Sequence, residues 1–274
     1  MHSGAGESGM SDRPGVELSP GGSNSREAIK QRIASGRIGW AAPLIVLMSR
    51  SVFLILAQGL VACVYLWRGN PSPWNAAAPW WSVFGTLADI GCLSLMFWFT
   101  HREGIRLRDL IGRLRLGRDV FLGLACMAVM ALAVMLPFQI VCKLVFGTPY
   151  PPMYPGLLGA RSLPLWGAIY SVVIWPLIWS PTEEMTYQGF VLARLDALFK
   201  QRWIAVVLVA FWWALQHAFL PLILDWHYVL WRFLFFLPGV TAFALLYLWL
   251  RRLSPLIFGH WPMDVFGVIS TLKM

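Results

Sequence analysis

Between Leu163 and Trp179 the chain reads LPLWGAIYSVVIWPLIW, without one charged residue, and apolar runs of similar or greater length recur from residue 42 to residue 271. A helix needs about 20 consecutive apolar residues to cross the hydrocarbon core of a bilayer. Inside that core the backbone must satisfy its own N–H and C=O groups, which leaves only helices and closed barrels. A barrel would alternate polar and apolar residues in short segments, and no such alternation is visible. The runs therefore predict an all-α, polytopic transmembrane helical bundle. Composition agrees, with 58% hydrophobic and 13% charged residues, against about 25% charged in a soluble domain.

Seven spans are expected, at about 42–66, 79–100, 119–142, 164–180 continuing as a helix to about 198, 203–224, 229–250 and 254–271. The net charge of +9 would suit a nucleic-acid partner if it were spread over a soluble surface. Instead, six arginines crowd the connector from Arg102 to Arg118, and others cluster at 194–202 and at Arg251-Arg252. Connectors of this kind face the cytoplasm and anionic lipid. The partner they imply is the bilayer, with the N-terminus cytoplasmic, the C-terminus outside and no nucleic acid involved.

Residues 1–36 are rich in Gly, Ser and charge, too poor in apolar groups to fold alone. They are expected to form a disordered tail, with residues 37–274 as the transmembrane domain. No apolar core follows a basic start, so no cleaved signal peptide is expected. The connector 143–163, rich in Pro and Gly, reads as an ordered external loop. The cysteines Cys63, Cys92, Cys126 and Cys142 lie within or at the ends of apolar runs, without metal-ligand or disulfide spacing. Arg50 and Asp89 lie inside such runs. A charge at that depth is a functional candidate by default, but a structural pair between the first two helices, or Arg50 reaching to the headgroups, is the plainer reading.

After the run at 163–179 the sequence continues SPTEEMTYQG. Serine, proline and a glutamate three residues after the serine form a capping-box pattern, which predicts a break near Ser180-Pro181 and a new helix. Glu183 and Glu184 would then sit at the positive end of that helix. Adjacent carboxylates repel and burial penalises their charge, so one proton is easily moved, as a general base requires. A glutamate that only caps a helix at the membrane surface is the alternative. Depth bears on the choice. About 17 residues separate Glu183 from the turn at 200–202, and about 16 more lead to His217. Each leg covers roughly 25 Å as helix, so an antiparallel hairpin brings Glu183 and His217 level. In the last span, FGHWPMD sets His260 and Asp264 four apart on one helix face, where Asp264 could orient the His260 ring. Two imidazoles with one or two carboxylates can hold zinc, or take a proton from water directly.

Together these stretches resemble the CAAX prenyl endopeptidase and bacteriocin-processing (CPBP, Abi) family of intramembrane proteases. That family carries EExxxR, FxxxH and HxxxN or HxxxD on separate membrane helices. The matches are Glu183-Glu184-xxx-Gln188, Trp213-xxx-His217 and His260-xxx-Asp264, over a family-like core of about 100–270. The resemblance implies an endopeptidase that hydrolyses membrane-associated, lipidated or leader-bearing peptide substrates. Glu183, helped by Glu184, would take a proton from water held by His217, while His260 with Asp264 stabilises the oxyanion or positions the water. Glu183, His217 and His260 would be the metal ligands if zinc is bound; a metal-independent glutamate mechanism stays open. Gln188 stands where the family has arginine, so it cannot clamp a carboxylate by charge, although it could hydrogen-bond Glu184. Trp212, Trp213, Trp231 and Trp261 could line a cavity, but an interfacial belt or simple packing is the plainer reading. A bacterial cytoplasmic (inner) membrane is the expected location. A catalytically silent scaffold or bacteriocin-immunity factor and a cation-coupled transporter are the competing functions; the transporter would want an inverted repeat.

Overall fold

The computed structural model describes residues 22–273, and its regular structure is helical throughout. Helix α1 is Arg26–Ala34, α2 is Ala41–Trp67, α3 is Pro73–Arg102 and α4 is Leu116–Phe146, interrupted at Leu136-Pro137. Helix α5 runs through 165–198, α6 is Arg202–Gln216, α7 is Trp226–Leu250 and α8 is Ser254–Thr271. Helices α2, α3, α4 and α7 are long and apolar enough to cross a membrane, and α6 is a shorter apolar helix. Large apolar side chains such as Leu60, Phe121, Leu136, Ile140 and Trp249 stand exposed on their outer faces, the arrangement that lipid solvent favours. The chain is an integral membrane protein.

Helix α5 is the axis of the bundle, contacted by α2, α3, α6 and α8. Every residue from 182 to 196 is buried. This stretch mixes apolar residues with Glu, Gln, Thr and Arg, so its polar groups must find partners inside the protein.

The expected break at Ser180-Pro181 is not found. Both residues lie inside the helix, and Ser180 is not an N-cap. The departures from α geometry flank it instead, as wide π turns at Tyr170–Ile174 and Met185–Leu192. The first has Trp175 N–H bonding Tyr170 C=O, just before Pro176, which has no N–H to give. Thr182 Oγ1 donates to Ile178 C=O at 2.7 Å, and Ser180 Oγ lies 2.9 Å from Pro176 C=O. The chain stays helical through both prolines. Glu183 and Glu184 consequently sit in mid-helix rather than at a positive helix end.

Three other expectations change. Residues 26–34 of the predicted tail form α1, capped by Ser25, which buries Ile29. Asn24 donates to Gly189 C=O at 2.9 Å, and Arg32 pairs with Glu103 at 3.7 Å. The apolar residue and these polar contacts together supply the docking surface that composition alone hid; residues 1–21 lie outside the described residues. The second span begins at Pro73, earlier than residue 79. The span placed at 203–224 stops at Gln216, because Pro221 cannot supply an N–H to His217 C=O. Arg232 of α7 donates to that carbonyl at 3.0 Å and to Leu220 C=O at 3.2 Å, satisfying a helix end that lipid could not.

Of the expected loop 143–163, residues 143–146 instead end α4, and the rest is the link from α4 to α5. Arg161 anchors it, donating to Pro79 C=O at 2.6 Å, to Ser82 Oγ and to Ser171 Oγ at 2.9 Å, with its guanidinium 4.3 Å from the Trp81 ring. All four cysteines are unpaired.

Helix α8 is set against α4 by a glycine contact. A methyl group on Gly259 would lie 2.6 Å from Gly123 C=O, and one on Gly123 would lie 2.9 Å from Pro255 C=O. Small residues allow this approach of two membrane helices, and Gly259 is the residue before His260. Gly259→Ala should therefore lower stability by about 1–3 kcal/mol. Gly267→Ala on the same helix, where a methyl meets nothing within 4 Å, should be neutral or stabilising by up to about 1 kcal/mol. Thermal unfolding of both variants in detergent checks the pair.

Candidate active site

Glu183 and Glu184 leave α5 in different directions, about 100° apart around the helix axis. Both are fully buried. Glu183 Oε1 accepts a hydrogen bond from Gln216 Nε2 at 2.8 Å, and Oε2 accepts one from Trp179 Nε1 at 2.9 Å. Glu184 Oε1 lies 3.0 Å from His260 Nδ1, while its Oε2 is buried without a hydrogen-bond partner.

His260 joins the two carboxylates. Its Nε2 is 3.5 Å from Glu183 Oε2 and 3.5 Å from Asp264 Oδ1. The close contact that orients the ring is thus with Glu184, not with Asp264 as the four-residue spacing suggested. Asp264 accepts from Ser180 Oγ at 2.6 Å, which ties α8 back to α5. The two 3.5 Å contacts are longer than good hydrogen bonds, so Nε2 has room for a third group.

His217 follows the last residue of α6, and its neighbour Gln216 touches Glu183. The antiparallel hairpin therefore brings Glu183 and the end of α6 to one level, as helix length predicted. His217 Nδ1 is 2.8 Å from Trp213 C=O. A carbonyl only accepts, so Nδ1 carries hydrogen and Nε2 of the neutral ring is an acceptor. The ring stacks on Phe236 at 3.8 Å between centroids. His217, His260 and Asp264 all line one cavity of about 560 Å3. Its other walls are largely aromatic, with Trp81, Trp175, Trp179, Trp213 and Trp231 among them. Trp213 and Trp231 were named from sequence; Trp212 and Trp261 do not line it. An apolar cavity with a few convergent polar groups is the usual form of a small binding or reaction site.

The zinc set Glu183, His217 and His260 fits less well than its composition suggests. Among the described residues no group of three or more His, Cys, Asp or Glu side chains could hold a metal ion. Both ring nitrogens of His260 face carboxylate oxygens, which favours hydrogen-carrying nitrogens over a lone pair directed at a metal.

Gln188 does not bond Glu184. Both of its polar atoms are buried without partners. Other residues occupy the surroundings of the acid pair. Gln216 Oε1 accepts from Arg50 Nε at 2.8 Å, and Arg50 Nη1 pairs with Asp89 Oδ1 at 2.8 Å. The pairing of Arg50 with Asp89 was legible as two lone charges in neighbouring apolar runs. The roles of Trp179 and Gln216 were not; the one signal for Gln216 was a polar amide in an otherwise apolar helix.

Residues 161–266 match the family model described as Type II CAAX prenyl endopeptidase Rce1-like. That segment contains Glu183, Glu184, His217, His260 and Asp264. No curated protein and no solved structure matches the chain. Three motifs in order, carried on helices α5, α6 and α8, thus fall within a segment, residues 161–266, that is similar to the type II CAAX prenyl endopeptidase, Rce1-like family.

Proposed function

We propose that the protein is an intramembrane endopeptidase in which Glu183 is the general base. The observation that carries this reading is the meeting of Glu183, Glu184, His260 and Asp264 beside a cavity whose wall includes His217. In lipid such a concentration of polar groups is costly unless it serves binding or chemistry.

A water molecule accepted between His217 Nε2 and the Glu183 carboxylate would donate one hydrogen to each. Glu183 takes a proton as the water oxygen bonds to the carbonyl carbon of the scissile peptide. The carbonyl oxygen gains negative charge, and a hydrogen on His260 Nε2 donates to it in the room left by the two long contacts. Glu184 holds the ring from its other side, so this donor is preorganised and is worth more than it would be in water. The proton on Glu183 passes to the leaving nitrogen as the C–N bond breaks. The products are a carboxylic acid and an amine, with the atoms of one water divided between them.

The aromatic walls select apolar groups next to the cleaved bond, which suits a membrane-associated, lipidated or leader-bearing substrate. The basic connectors 102–118, 194–202 and 251–252 support a cytoplasmic N-terminus, and a bacterial inner membrane is the expected setting. A silent scaffold would have no need of an intact set of carboxylates around His260.

The test is cleavage of a panel of lipidated and unlipidated peptides by purified protein in detergent or proteoliposomes. Glu183→Gln should reduce kcat by about 10²–10⁴-fold in a protein that still elutes as the folded species; unchanged cleavage would end the reading. His260→Ala should lower kcat by about 10²–10³-fold, the loss expected for one oxyanion donor, with a smaller change in KM. A zinc chelator should leave the rate of wild-type protein unchanged. Loss of activity that zinc restores would instead assign Glu183, His217 and His260 to a metal.

A further inference from the structure

The two donors that hold the general base proposed above, Trp179 and Gln216, are themselves held by residues on helices that the family match does not include. Arg50 lies on α2 and Asp89 on α3, and both are completely buried. Their ion pair at 2.8 Å would be an ordinary structural device if it stopped there, but two contacts carry it on to Glu183.

The first runs through Gln216. Arg50 Nε can only donate, so the Gln216 atom 2.8 Å from it must be the amide oxygen. That fixes the orientation of the amide and forces its NH2 towards Glu183, where Nε2 donates to Oε1 at 2.8 Å. The second runs through Trp179. The Arg50 guanidinium lies over the indole at 4.1 Å from its centroid, a cation–π contact that holds the ring in place. The same indole gives its one N–H to Glu183 Oε2 at 2.9 Å. Each oxygen of Glu183 therefore accepts from a donor whose direction Arg50 sets. The carboxylate plane cannot rotate without breaking one of them. Asp89 in turn holds the guanidinium by Nη1, so Arg50 is itself fixed.

We propose that Arg50, fixed by Asp89, is a positioning residue for the Glu183 base and acts on its two oxygens through Gln216 and Trp179. Gln188 offers no competing contact, since both its polar atoms lack partners. The arrangement serves a base because both fixed contacts use Glu183 as an acceptor, and it leaves the remaining lone pairs in a constant direction for water.

This inference rests on the endopeptidase reading, and the experiment keeps the two apart. Arg50→Gln alone would leave Asp89 buried without its cation, which can unfold a protein for reasons unrelated to catalysis. The informative protein is therefore the neutral pair Arg50→Gln/Asp89→Asn, compared with Gln216→Leu and with the triple combination. Each of the first two should lose about 10–100-fold in kcat, the range typical of a residue that orients a catalytic group, with KM changed by less than about threefold. The triple variant should be no slower than the slower of the two, because all of them break the same relay. A thermal unfolding temperature close to wild type for the neutral pair confirms that the loss is not one of fold. Should the neutral pair retain wild-type kcat, or should its loss and that of Gln216→Leu multiply in the triple variant, the relay is overturned. Glu183→Gln is measured beside them. An active Glu183→Gln protein overturns the endopeptidase reading itself, whereas an inactive one beside a fully active neutral pair overturns the relay alone.

Discussion

Charge buried in a lipid-surrounded bundle has to be answered by charge or by hydrogen bonds, and that requirement organises this protein. Asp89, Glu183, Glu184 and Asp264 come together in its core with Arg50, His217 and His260. The desolvation cost of any one of these groups alone would amount to several kcal/mol. Collected on one set of helices, each supplies what the next needs. Asp89 holds Arg50, Arg50 orients Gln216 and Trp179, and these hold Glu183, while Glu184 and Asp264 face His260. The apolar exterior is the other half of the same arrangement, since it leaves polar groups no place but the interior or the membrane surfaces.

Helix α5 is where the two halves meet. It keeps its course past Pro176 and Pro181, with wide turns on either side of the stretch between Trp175 and Glu184. Its acids are therefore delivered at a fixed rotation within the core, not at a loose helix end. Helix α8 reaches α4 through Gly123 and Gly259, and this close approach carries His260 towards Glu184. The polar cluster and the glycine contact act on adjacent residues of the same helix, so packing and chemistry constrain α8 together.

The candidate site was legible to different depths in different places. Glu183, Glu184, His217, His260 and Asp264 stood out because polar residues are conspicuous in apolar runs, and helix length alone set Glu183 level with the end of α6. Their partners were harder to foresee. The four-residue spacing of His260 and Asp264 suggested an intrahelical contact, yet Glu184 from another helix comes closer. Ser180-Pro181-Thr182-Glu183 had the letters of a helix start and proved to be helix interior, leading into a stretch buried on all sides from residue 182 to residue 196. Residues 26–34 looked too polar to fold, and they do fold, with Ile29 buried and Arg26 and Arg32 paired with Asp196 and Glu103.

The amino-acid sequence by itself determined the solvent and the helical class of the spans: apolar runs of membrane length allow helices that satisfy their own backbone, and basic connectors must lie outside the hydrocarbon. Those properties depend on residues close together in the chain. Which polar groups touch was decided only by the tertiary structure. Arg50 and Gln216 are 166 residues apart, and Glu184 and His260 are 76 apart. Their contacts depend on the rotation and crossing of several helices at once, set by glycine approach, wide turns and the cost of leaving any buried charge without a partner.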